Sequence, residues 1–214
     1  MNILNIRTIA SAMIVGAAAL TVACSDSPTE QAPGTLQLFL TDAPFPFDEV
    51  QSVDVFVLRV EGRVSEGSAA EAEANTDEAA APGAGWMTLA EPNAELDLLT
   101  LQNGVTANLG QASLAPGTYR GFRLVIDPSK SSITLKDGTV LDAASTPNVS
   151  FPSAGTSGIK IVLTSPVVIG SGETTSLLID FDVAQSFIMR SNSLAQDGLL
   201  FTPVIKATVH EVDE

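Results

Sequence analysis

The sequence predicts an all-β protein, a two-sheet antiparallel β-sandwich of the immunoglobulin or prealbumin general type, and three observations predict it. From Gly34 onward, short apolar runs show the two-residue alternation of half-buried strands. Turn residues, from a stock of 16 glycines and 12 prolines, interrupt those runs at short intervals. There is no βαβ alternation and no repeat period. A hydrophobic fraction of 45% over 214 residues is ample for one domain with appendages.

The chain opens with "MNILNIRTIASAMIVGAAALTVAC". Arg7 precedes an apolar run from Ile9 to Ala23, shorter than the ~20 residues of a membrane-spanning helix and of signal-peptide length. Its end, "LTVAC", resembles a bacterial lipobox, with small Ala23 before Cys24 and Thr21 where leucine is commoner. This reading makes residues 1–23 a lipoprotein signal peptide and Cys24 the acylated residue. An ordinary secretory signal with an incidental cysteine is the alternative. Cys24 is the only cysteine, and it falls at this one spot. Several acyl chains would anchor it to membrane lipid stably. Ser25, in place of the aspartate associated with inner-membrane retention, favours export to the outer membrane of a bacterial envelope. Residues 24–33, "CSDSPTEQAP", read as a flexible tether and residues 34–214 as the β-domain.

The formal charge is −15, and removing the signal deletes Arg7 and no acid. That balance repels nucleic acid and anionic headgroups, so a nucleic-acid-binding role is excluded. With Cys24 acylated, no thiol is left for a disulfide, a thiolate metal site or cysteine catalysis.

The strands follow in order. "TLQLFLT" sets Leu36, Leu38 and Leu40 on one face and stops at "DAPFPFDEV", whose prolines end a ladder. "SVDVFVLRVEG" is apolar on both faces and predicts an interior strand. Residues 63–85, "RVSEGSAAEAEANTDEAAAPGAG", are Ala-, Gly- and acid-rich and read as a low-complexity insertion, an acidic solvated loop or, alternatively, a cation-attracting flap. "WMTL" resumes a strand, and "AELDLLTLQNG" suits a strand or a helical turn. "GTYRGFRLVID" buries Phe122, Leu124 and Ile126. "SITLKDGTVLDA" predicts a type I′ hairpin around Asp137-Gly138. "GIKIVLTSPVVI" and "TSLLIDFDV" are expected to form a hairpin through "GSGE". "LLFTPVIKATVHEV" closes the sheet, with Pro203 pointing to an edge or a bulge.

Five of these stretches carry a resemblance. "GTLQLFLTDAPF", "ELDLLTLQNG", "LAPGTYRGFRLVI", "LLIDFDVAQSF" and "FTPVIKATV", in that order from Gly34, resemble the bacterial lipoprotein family described as domain of unknown function 4382. The resemblance implies a β-sandwich, a lipid anchor or secretion signal and an envelope location. It supplies no activity and no catalytic residues.

Candidate sites rest on a few residues. In "LLIDFDV", alternation puts Leu177, Ile179, Phe181 and Val183 on the core side and Asp180 and Asp182 on the other. A cross-strand pair with Arg123, also on an outer face, is the simpler reading. Ca²⁺ is the sharper one, with Asp42 of "TDAP" as a third ligand and Asp48 and Glu49 as weaker candidates. Asp42 before Ala-Pro equally suits a turn. His210, the only histidine, sits near the end of the sequence with no nucleophile marked beside it, and reads as an edge-strand residue. Trp86 and Tyr119 are the candidates for stacking on a sugar, against packing in the sandwich. Phe45 and Phe47 either form an exposed apolar tip for a ligand or partner or plug one end of the sandwich.

The first functional expectation is a lipid-anchored, non-catalytic envelope module that binds a glycan, an envelope protein or a cation, or is structural. A carboxylate-based glycan hydrolase is the alternative and requires two acids in a cleft. An assembly protein exchanging an edge strand is the third.

Overall fold

The computed structural model describes residues 31–43, 48–64, 85–152, 155–191 and 194–211. Cys24 with the signal segment, the tether up to residue 30, Phe45, Phe47 and insertion residues 65–84 lie outside the described residues.

Among the described residues there are fifteen strands: β1 Gly34–Asp42, β2 Val50–Val64, β3 Met87–Ala90, β4 Ala94–Asp97, β5 Ala107–Leu114, β6 Gly117–Ile126, β7 Ser132–Leu135, β8 Val140–Asp142, β9 Val149–Ser150, β10 Ile159–Leu163, β11 Val167–Ile169, β12 Thr174–Phe181, β13 Phe187–Met189, β14 Leu199–Phe201 and β15 Ile205–Glu211. The all-β expectation holds. Twelve strands form one sheet, ordered β5-β1-β12-β15-β10-β6-β2-β7-β8, with β11 on β6 and with β3 and β4 on β2; β13-β14-β9 form a small second sheet. Among the described residues no helix is long and apolar enough to cross a membrane.

The antiparallel expectation needs correction, because β1 runs parallel to β12, β10 to β15 and β14 to β9. Alternation tells which face of a strand is buried, but it carries no information on a neighbour's direction. The main sheet curls at β10. Ile159–Ile161 pair with β6, whereas Val162 and Leu163 pair with β15. One apolar core fills the curl, from Leu36, Leu38 and Leu40 through Val53, Phe122 and Leu124 to Leu177, Ile179 and Phe181. The small sheet joins this core through Phe201, whose ring centroid lies 6.0 Å from Phe181 and 4.9 Å from Phe187.

Several local expectations are refined. β2 is interior, as its two apolar faces predict, with β6, β7, β3 and β4 as partners. The β7–β8 hairpin forms, but of its turn residues only Gly138 has positive φ (87°), and its N–H donates to Leu135 O at 2.9 Å. That is a tight turn followed by a glycine bulge, since a type I′ turn needs positive φ at both central residues. "AELDLLTLQNG" is both strand and helical turn: β4 is followed by a 3₁₀ turn, Leu98–Leu101. Asp97 Oδ1 caps it by accepting the N–H of Leu99, and also accepts that of Val53, each at 3.1 Å.

"GSGE" does not make a ladder hairpin. β11 pairs with β6, and β12 pairs with β1 and β15, so the turn carries the chain from one half of the curl to the other. "GIKIVLTSPVVI" divides around Ser165-Pro166 into β10 and β11. Pro203 falls between β14 and β15, which belong to different sheets, and β15 lies inside the main sheet rather than at its edge.

Candidate functional site

Two groups of polar side chains stand out, one at an end of the core and one on the outer face. The first is the end where β1 and β12 finish side by side. Their register pairs Asp42 with Phe181 and Thr41 with Asp180. Asp42 therefore shares the inward phase of Leu36, Leu38 and Leu40, while Asp180 takes the opposite phase of the pleat. Asp42 is buried, and its Oδ1 accepts the Val183 N–H at 3.0 Å, tying the end of β1 to the chain leaving β12. Its Oδ2 is buried without a hydrogen bond of ordinary geometry among the described residues. Burial, with a smaller push from the Asp180 charge, raises its pKa to about 7 even though Val183, the Gln102 side chain and the Ala43 backbone pull downward.

Asp180 stands directly opposite Lys206 on β15. Burial and then the neighbouring Asp182 charge raise its pKa, and Lys206 offsets part of that rise. Lys206 is thus the cation facing this acid, and the pairing expected with Arg123 does not form. Asp182 is not a strand residue. It caps the helical turn Val183–Ser186, accepting the Gln185 N–H at 3.0 Å on Oδ1 and the Gln185 side-chain amide on Oδ2. Among the described residues no three His, Cys, Asp or Glu side chains gather where they would share a metal ion. The set Asp42, Asp180 and Asp182, weighed from the sequence as a calcium site against the simpler ion-pair and turn-forming roles, is held as a core acid, a cross-strand acid and a cap. Asp48 and Glu49 are exposed at the entry to β2.

The second group lies on the outer face of β3, β2, β6 and β10. Register aligns Thr88, Glu61, Arg123 and Lys160 across the four strands, and Arg63 with Gly121 in the next row. Glu61 is buried between two arginines, its Oε1 accepting Arg59 Nε at 2.6 Å and its Oε2 accepting Arg123 Nε. Burial opposes the Glu61 carboxylate, but the hydrogen bonds and charges of Arg59 and Arg123 outweigh it and hold the pKa below the usual value. Arg123 also donates to Ser157 O at 3.0 Å. Its guanidinium carbon lies 4.5 Å from the centroid of the Trp86 ring, and that of Arg63 5.6 Å. Trp86 is half-buried against the bare backbone of Gly121, where an added Cβ would stand 3.3 Å from Trp86 Cη2. Arg63 and Lys160 are exposed, and neither has a carboxylate partner within ion-pair distance among the described residues.

Tyr119 packs in the core, its hydroxyl donating to Ala115 O at 3.1 Å. His210 is exposed on the interior strand β15, opposite Ser176, with Thr208 Oγ1 at 3.4 Å from its Nε2. It borders an open depression of about 450 Å³ formed with Ser165, Pro166, Val168 and Val209, a lining without a carboxylate among the described residues. Glu61, Arg59, Lys206 and Gln102 were not singled out by the sequence. "RVEGR" did contain a signal: residues 59, 61 and 63 alternate onto one face with the sign pattern plus, minus, plus.

No curated protein and no solved structure gives a significant match to the chain. The family model described as Domain of unknown function (DUF4382) matches residues 33–203, a span that includes Asp42, Asp180, Asp182 and the Trp86 face, and the chain belongs to that family.

Proposed function

We propose that this protein is a non-catalytic binding module of the bacterial cell envelope, lipid-anchored through Cys24 and presenting the Trp86 face to its ligand. The observation that carries the proposal is the Trp86 face itself. A half-buried aromatic ring lies on the sheet beside two exposed cations, Arg63 and Lys160, on a chain of net charge −15. Aromatic rings and arginines of this kind are enriched where proteins grip partners. The "LTVAC" ending of the N-terminal apolar run supports the anchor.

A hydrolase would draw on Asp42, whose pKa suits proton transfer. Its carboxyl faces the core, however, and the nearest second acid, Asp180, points the other way along the pleat, so no observation favours that reading. The test is retention of the purified chain on insoluble envelope glycan. Trp86→Ala is expected to lower retention about tenfold, in line with removal of a central aromatic contact. Retention unchanged by Trp86→Ala would overturn the proposal. Cys24→Ser is expected to move the protein from the membrane to the soluble fraction.

A further inference from the structure

We infer that the Trp86 face takes an acidic polysaccharide, with carboxylates on separate sugars meeting Arg63 and Lys160; this rests on the binding-module reading above and names its ligand class. Among the described residues the face has an unusual charge for this molecule. Arg59, Arg63, Arg123 and Lys160 share it, and Glu61 is the described acid placed among them. Glu61 engages Arg59 and Arg123, so among the described residues the charge left for a ligand is that of Arg63 and Lys160.

At physiological ionic strength charges are screened over about 8 Å, less than the width of the sheet, so a bound group feels this local excess rather than the net charge of the chain. The spacing narrows the ligand further. Arg63 pairs with Gly121, two residues from Arg123, whose partner on the next strand is Lys160. Two strand spacings and two residues of rise put the Arg63 and Lys160 Cα atoms roughly 12 Å apart on one face. That suits separate anions on an extended ligand better than a single phosphate or sulfate.

Beside Arg63 the surface is low. Gly121, its partner on β6, has no side chain, Trp86 lies against it, and Val162, two residues beyond Lys160 on β10, is 63% exposed. A sugar ring, apolar on its faces and polar at its rim, fits such a surface. Nucleic acid carries a charge every ~1.7 Å, and its flanking phosphates would fall on the acidic remainder of the surface.

The probe is an oligogalacturonate, with one carboxylate on each sugar, compared with its neutral methyl ester. Full-length protein in neutral detergent is titrated, and the emission of Trp86, the only tryptophan, is followed. The acid oligomer is expected to bind at least tenfold more tightly than the ester. Arg63→Gln with Lys160→Gln, both at exposed positions, is expected to remove that preference while leaving the thermal melt unchanged. Equal binding of acid and ester would overturn the charge inference and leave the binding-face reading standing. An acid oligomer bound equally by the double variant would place its site elsewhere and overturn the inference. Absence of binding to either oligomer would also overturn it, while glycan retention would still decide the broader reading. An oligonucleotide bound as tightly as the acid oligomer would show a general polyanion face and overturn it too.

Discussion

Asp42 is 4% exposed and Glu61 6%, yet burial leaves these two acids in opposite electrical states. Asp42 receives neutral donors alone, and desolvation prevails, raising its pKa to about 7. Glu61 meets two guanidinium groups, and its pKa falls below the usual value. Solvent exposure does not separate them; the charge of the partner that arrived with each weighs against desolvation in one and is missing in the other. The signs with pH are therefore opposite. Folding raises the Asp42 pKa from 3.8 to about 7, so between those values the folded state holds a proton that the unfolded chain has released, and stability falls as pH rises through that window. Folding lowers the Glu61 pKa, so its contribution is present above the unfolded value of 4.5 and is lost as pH falls.

The largest effect expected is at Asp42. At ~1.4 kcal/mol per pH unit, the wild-type protein should lose at most about 3 kcal/mol between pH 5 and pH 8, with Asp180 adding in the same sense. Asp42→Asn keeps an oxygen acceptor for Val183 and removes the charge, so urea midpoints across that range should flatten. An unchanged slope would break the contrast, because the proton would then sit elsewhere. Next comes Glu61→Gln, which leaves Arg59 and Arg123 without their shared counter-charge. Those arginines are partly solvated, so a loss of about 2 kcal/mol at pH 7 is expected, shrinking as pH falls below the unfolded value of 4.5. The smallest concerns Asp182. Its replacement by alanine removes a cap worth about 1 kcal/mol, and the wild-type melt should be the same in EDTA as in millimolar Ca²⁺. An ion at a hundred times its Kd would add ~2.7 kcal/mol. A rise of several degrees in Ca²⁺, lost in Asp182→Ala, would restore the ion site and erase the distinction between paired and unpaired acids.

What the sequence disclosed follows from the range of the interactions involved. The buried faces of β1, β2, β6 and β12 were legible because alternation is a local property, and Leu177, Ile179, Phe181 and Val183 are all fully buried as it predicts. Strand direction was not legible. Thr35 lies beside Thr174, and no local residue announces a parallel neighbour so far along the chain. The same limit governed the acids. Asp180 was correctly placed away from the core, but its facing cation depends on the β12–β15 register, which brings up Lys206 and leaves Arg123 to Glu61. Asp182 was read as a strand residue because alternation continues through Val183, although the backbone has already turned into a helix and uses that carboxylate as its cap.

The position of β15 sets an order of assembly. It is inserted between β12 and β10, and β1 finds its parallel partner only when β12 is available. Neighbours this distant in sequence must close large loops before any pairing rewards them, which makes folding slow. A chain emerging N-terminus first would expose β1 with a single antiparallel partner, β5, until β12 followed. The seam along β10 would stay open until residues 205–211 arrived. The curl thus behaves as a latch thrown by residues 205–211, leaving the incomplete fold open to chaperones, proteases and its own unpaired edges until they pair.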